Sequence, residues 1–246
     1  MLPLRDNIPA SRVPYVTYAL IAANIIVYFF WQRGGISLGD PSNLHYQCQL
    51  AEWGAVPRDI THNSQPGLPP QCGTDEASPY VTIFTAMFMH GGLLHLGGNM
   101  LFLWIFGNNV EDAMGPVKYL LFYVLSGIAA LALQIVPDPN STIVTLGASG
   151  AIAGVLGGYI RLFPRAKVIT VIFIIFFFTI LELPAMLVLG IWFLEQALFA
   201  ANSIGSSGGG VAYFAHVGGF LFGFLTIKYF VDSKRVDRQR ERVAYS

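Results

Sequence analysis

The sequence predicts an all-α polytopic membrane protein that crosses its bilayer six times. Three observations lead there. Only 11% of the 246 residues are charged while 54% are hydrophobic, against about 25% charged in an ordinary soluble domain. Several apolar runs approach the roughly 20 residues that span about 30 Å of hydrocarbon. One of these runs is lined with small residues at helical spacing, which suits a helix packed closely among others in lipid. Basic and acidic residues balance at 14 each, so nothing in the charge points to a nucleic-acid partner.

Taken in order, Met1 to Pro14 reads as a short polar tail. Tyr15 to Trp31 is the first span, and its aromatic end suits an interface. A polar loop follows it with no small-residue cleavage site, so it is read as a span and not as a signal peptide. The stretch from Gln32 to Pro79 is too polar to cross. With the approach Tyr80 to Gly92 it makes one long outer loop over 32–92. Cys48 and Cys72 both fall there, equally compatible with a disulfide closing the loop and with two separate thiols.

Leu93 to Phe106 forms the second span, closed by Asn108, Asn109, Glu111 and Asp112. Gly115-Pro116 turns the chain into the third span, Val117 to Val136, and Pro137 to Ser141 is a loop. The fourth span, Ile143 to Phe163, carries Ser149, Gly150, Ala153, Gly154, Gly157 and Gly158. Each interior glycine costs about 1 kcal/mol in helix propensity. A membrane offsets that cost where the bare face lets another backbone approach, so this helix is expected at the centre of the bundle.

Val168 to Leu181 is apolar and β-branched but too short to span, and reads as an interfacial or partly buried excursion. Pro184 to Ala201 is the fifth span, with Glu195 and Gln196 inside it. Val211 to Phe230 is the sixth, carrying His216, Gly219 and Gly223. The membrane domain then covers 15–232, and 233–246 is a basic tail. The side that receives both tails holds twelve of the fourteen Lys and Arg. The positive-inside rule places that side in the cytoplasm, in what is expected to be the cell (plasma) membrane.

This parity decides where polar side chains meet. Spans two, four and six enter from the outer face, and His95, Ser149 and His216 lie near the start of each. A serine hydroxyl is unreactive without an adjacent base, and His216 is the candidate base at the same depth. His95 and Asn99 share a helical face at i, i+4. With a backbone N–H of Ser149 or Gly150 they would stabilise an oxyanion. Gly147, Gly154, Gly219 and Gly223 are expected to let the helices close around this site.

Each residue also has a plainer reading. Ser149 alone suits interhelical packing, and the His95–Asn99 pair alone suits a structural role. Metal catalysis is not expected: His90 and His95 stand about 140° apart around a helix, and no His-Glu-x-x-His pattern occurs. No acidic third member is evident, since Asp138 lies in a loop and Glu195 deep in span five, so a Ser-His dyad is expected. Trp192 and Gln196 share a face near Glu195, with no readable role.

Gly147-Ala148-Ser149-Gly150, His95-x-x-x-Asn99 and His216-x-x-Gly219-x-x-x-Gly223 together resemble the rhomboid intramembrane serine proteases, over nearly all of Tyr80 to Phe230. The resemblance implies a six-helix rhomboid-type bundle and an endopeptidase that cuts single-span membrane proteins, using no cofactor. It implies that Ser149 is the nucleophile and His216 its base, that Asn99 and His95 bind the oxyanion, and that Glu111 is a structural acid. The Trp-Arg pair of many members is absent, with Val81-Thr82 at the matching place. An inactive relative that binds transmembrane helices is the alternative.

Overall fold

A computed structural model describes residues 1–36, 43–64, 70–72, 77–174, 177–204 and 211–244. The chain opens with a strand, β1 (Leu2–Asp6), inside the expected tail. α1 (Tyr15–Ile26) continues through a wider turn to Trp31. α2 (Leu44–Trp53) and α3 (Pro57–His62) occupy the long loop, followed by α4 (Pro79–Thr85). Next come α5 (Leu93–Met114), α6 (Pro116–Ile135) and α7 (Ser149–Leu162). A hairpin of β2 (Lys167–Ile174) and β3 (Phe177–Pro184) leads into α8 (Ala185–Ser203), α9 (Tyr213–Thr226) and α10 (Ser233–Ala244).

Length and hydropathy alone qualify two of these helices, α6 and α8, to cross a membrane. Two bent pairs raise the number to four: α4 with α5, kinked by 77°, and α9 with α10, turned by 108°. The centre is α7. Every residue from Gly150 to Tyr159 is buried, and α5, α6, α8 and α9 pack around it.

The structure departs from the sequence reading in four places. The fourth span begins as a helix at Ser149, not Ile143. Residues 143–147 stay out of the helix because their backbone bonds go elsewhere: Thr145 and Ala55 exchange N–H···O bonds of 2.7 and 2.9 Å, and Gly147 N–H donates to Ala86 O at 2.8 Å. Gly147 also sits at φ +115°, which a helix cannot contain.

The segment Val168 to Leu181 is a β-hairpin, and β1 joins it in a three-stranded antiparallel sheet ordered β1-β2-β3. Runs of Val, Ile, Thr and Phe favour strands. Lys167 pairs with Pro184 at the hairpin base, so α8 starts at the same end of the molecule where α7 stops. The all-α description therefore holds for the bundle but not for this sheet. Thirdly, residues 233–244 of the expected tail form a helix.

The fourth departure is the length of α5, which runs through its polar end to Met114 because those polar groups are bonded. Glu111 accepts from Val16 N–H at 3.0 Å, Thr17 N–H at 2.8 Å and Thr17 Oγ1 at 2.8 Å. A carboxylate there satisfies donors that the start of α1 leaves open. Asp112 accepts from Ser11 N–H at 2.7 Å, and Asn109 Nδ2 donates to Asp6 at 2.7 Å. Tyr159 of α7 donates its hydroxyl to the same Asp6 oxygen.

Burial pushes the Asp6 carboxyl up to about 6, only partly opposed by the Tyr159 and Asn109 bonds. A carboxyl raised on folding contributes stability that is complete below its unfolded value near 3.8 and lost as pH rises through about 6. The thermal midpoint is therefore expected to fall between pH 4.5 and 7, and Asp6→Asn to flatten that slope. An unchanged slope in Asp6→Asn would assign the effect to another group.

Candidate active site

Three helix starts meet in one cavity of about 610 Å³, whose lining includes His95 and Asn99 of α5, Ser149 of α7, Trp192 of α8 and His216 of α9. The sequence places them there by simple means. Ser149 is the first residue of α7, His95 the third of α5 and His216 the fourth of α9. The residues before α5 and α7, Gly92 and Ala148, supply no side-chain cap. Uncapped first-turn N–H groups and the positive end of each helix dipole favour negative charge nearby.

His216 Nε2 lies 2.8 Å from Ser149 Oγ. Its other nitrogen, Nδ1, lies 2.7 Å from Gln196 Oε1 of α8. An amide oxygen only accepts, so Nδ1 carries the proton and Nε2 presents its lone pair to the serine hydroxyl. That is the arrangement a general base requires.

The approach of α7 to α9 depends on bare backbone. A Cβ on Gly219 would stand 2.0 Å from Gly150 O, and one on Gly223 1.9 Å from Gly154 O. Gly154, Gly219 and Gly223 thus act in the seam between helices. Gly147 acts differently: its backbone turns in the left-handed region, and a Cβ there would meet the His95 ring at 2.8 Å.

Asn99 is 8% exposed, and its Nδ2 has no hydrogen-bond partner among the described residues. An unpaired buried amide costs about 1–3 kcal/mol, and Asn99 lines the cavity beside Ser149, so an acceptor bound there would satisfy this donor. Gly91 N–H donates to His95 Nδ1 at 3.3 Å. That bond leaves the ring proton of a neutral His95 on Nε2, which adjoins Gly147. Both side chains of the pair can then donate at the serine.

The long loop supports this edge of the cavity. Cys48 and Cys72 are joined in a disulfide, with Cα atoms 5.2 Å apart. Tyr46, two residues before Cys48 on α2, donates to His90 O at 2.6 Å, and Gln32 bonds both the N–H and the carbonyl of His90 at 3.0 Å. His90 is thereby a backbone anchor just before Gly91.

A model of the rhomboid domain matches residues 77–233, more than half of the chain. The chain belongs to the rhomboid family. It is 34% identical over 179 residues to Rhomboid protein 1, mitochondrial, of Saccharomyces cerevisiae, covering 68% of this chain and 46% of that protein. It is 26% identical over 213 residues to Rhomboid protease GluP of Bacillus subtilis, covering 86% of this chain and 34% of that one. Rhomboid-like protease 5 of Toxoplasma gondii is 32% identical over 150 residues, 58% of this chain and 16% of the relative. The chain thus spans less than half the length of these relatives. Family and apolar helices together make it an integral membrane protein. The plasma membrane in particular is not supported, since the yeast relative is mitochondrial.

Within this rhomboid domain the other candidates fall away from the cavity. Glu182 makes a 3.9 Å ion pair with Lys167 with both side chains more than half exposed, a contact worth little. Glu195 is exposed and borders a separate small cavity with Met1 and Pro3. Val81-Thr82 lies in α4, where Thr82 bonds Pro79 O at 2.7 Å. Gln196, which bonds His216 Nδ1, is a residue at this site to which the sequence assigns no role. Its only signal was an amide inside an apolar span, which in lipid must find a partner.

Proposed function

We propose that this rhomboid is an intramembrane serine endopeptidase that cleaves within or beside the membrane segment of single-span proteins. The six spans are α1 with its extension to Trp31, α5, α6, α7, α8 and α9, with both chain ends on the basic side of the bilayer. The observation that carries the proposal is the 2.8 Å contact of Ser149 Oγ with His216 Nε2 inside a cavity that also holds the unpaired Asn99 amide.

Depth follows from helix length. α7 has 14 residues, about 21 Å at 1.5 Å each, so it is short of the roughly 30 Å core. With its C-terminal end at the inner surface, Ser149 lies below the outer one. Water and an unwound substrate strand then reach the serine from the outer side.

In the reaction Ser149 Oγ attacks the scissile carbonyl as its proton passes to His216 Nε2. The carbonyl oxygen becomes an oxyanion facing Asn99 Nδ2, His95 Nε2–H and the first-turn N–H groups of α7, Gly150 included. Collapse breaks the C–N bond, and His216 returns the proton to the leaving amine. Water, deprotonated by His216, then releases the acyl group from Ser149. No metal takes part, and no cofactor.

The test is cleavage of a single-span peptide in liposomes, together with fluorophosphonate labelling of the purified full chain. Cleavage with the label on Ser149 supports the proposal. A folded protein that neither cleaves nor labels is a helix-binding relative instead. Asn99→Ala gives a second readout: kcat is expected to drop about 10²–10³-fold for loss of one oxyanion donor. The thermal midpoint should hold or rise, because an unpaired buried amide has been removed.

A further inference from the structure

We propose that Gln196 is the positioning residue for His216, so that the working unit is a neutral Ser149–His216–Gln196 chain and not a bare dyad. The inference rests on the protease reading above and deepens it. Gln196 is 8% exposed and His216 9%, and their 2.7 Å bond is the contact made by Nδ1. Without it the imidazole has no reason to prefer the tautomer with Nε2 free. The proton would sit on Nε2 in part of the population, where it blocks transfer from Ser149.

Trp192, one helical turn before Gln196, supplies the second restraint. Its ring centroid lies 5.8 Å from that of His216 with the planes 35° apart. Trp192 limits swinging of the ring, and Gln196 fixes which nitrogen faces the serine. Both come from α8, whereas the reacting atoms come from α7 and α9. The glycine seam sets the distance between nucleophile and base, and α8 sets the protonation geometry.

A neutral orienter suits this place. No cation stands beside Gln196 among the described contacts of His216, and a buried carboxylate lacking one costs several kcal/mol in desolvation. The amide dipole holds the Nδ1 proton at no such cost. It also favours the imidazolium formed when the serine proton arrives, though less than a carboxylate would.

Two substitutions separate positioning from packing because the two roles rank them oppositely. Gln196→Met keeps the volume and removes the acceptor, while Gln196→Glu keeps the acceptor. Positioning predicts that Gln196→Met lowers kcat and the fluorophosphonate labelling rate about 10–100-fold, as for other orienting partners of a functional histidine, with KM unchanged. Gln196→Glu then recovers most of the rate. Packing predicts the reverse order, and a Gln196→Met enzyme as fast as wild type overturns the proposal.

If both variants are slow, the ring ¹⁵N shifts of labelled histidine decide, with His216 assigned by its loss in His216→Asn. A proton on Nδ1 in wild type that is lost in Gln196→Met supports positioning; an unchanged tautomer in Gln196→Met overturns it. This spectrum needs no turnover and can be recorded in Ser149→Ala. Failure of the protease reading and failure of the Gln196 assignment therefore give different results.

Discussion

Ser149→Ala is expected to lower kcat on a single-span substrate by about 10⁶-fold, His216→Ala by about as much, and the double variant no further. The reason is that the two groups act as one. At 2.8 Å the serine hydroxyl has its base in place, and either partner alone leaves nothing able to attack the carbonyl. The oxyanion donors would remain, and they account for residual rate above water. Stability should change little in Ser149→Ala, since Ser149 is only partly buried and, among the described residues, its hydroxyl bonds only His216. The measurements are single-turnover cleavage in liposomes and the thermal midpoint of each variant. Losses that multiply in the double variant would show two independent contributions and sink the shared mechanism.

The bundle and half of the site were legible in the sequence because membrane physics leaves strong marks. Apolar runs mark the helices of the bundle, although length and hydropathy alone qualify only α6 and α8, among the described residues, to cross a membrane. The sequence expects His95, Ser149 and His216 at a common depth, and all three line one cavity. What stayed hidden depends on long-range bonding. Ile143 to Ala148 is as apolar as a helix start, yet its backbone pairs with Ala55 and Ala86 across the loop. Nothing local announces that. The same holds for Asp6, which looks like part of a solvated tail and is instead tied to Asn109 and Tyr159.

Gln196 shows the limit most clearly. Catalytic triads usually carry an acid as third member, and neither acid considered for that place fits it, Asp138 lying in a loop and Glu195 deep in α8. One residue on, 100° around the same helix, the neutral amide points at the histidine while Glu195 is exposed. Periodicity shows which residues share a face, but not which face meets α9. Only the packing of α8 against α9 resolves it.

The second large effect is expected from Gly223→Ala, which should lower stability by about 2–3 kcal/mol or prevent folding, although the residue is seven positions from His216. Two terms compete. Alanine improves helix propensity by about 1 kcal/mol. Against this, its Cβ would stand 1.9 Å from Gly154 O, far inside the roughly 3.5 Å of an unstrained contact. The obstacle is backbone, which cannot rotate away, so the helices must part by on the order of 1 Å. Displacement of that size at a reacting pair costs about 10²-fold in rate. Gly223→Ala should therefore lose cleavage even in molecules that fold. Gly190→Ala is the control, because a Cβ there meets nothing within 4 Å, and the propensity gain should stand alone. Wild-type rate and midpoint in Gly223→Ala would mean that the seam between α7 and α9 is not what holds Ser149 against His216.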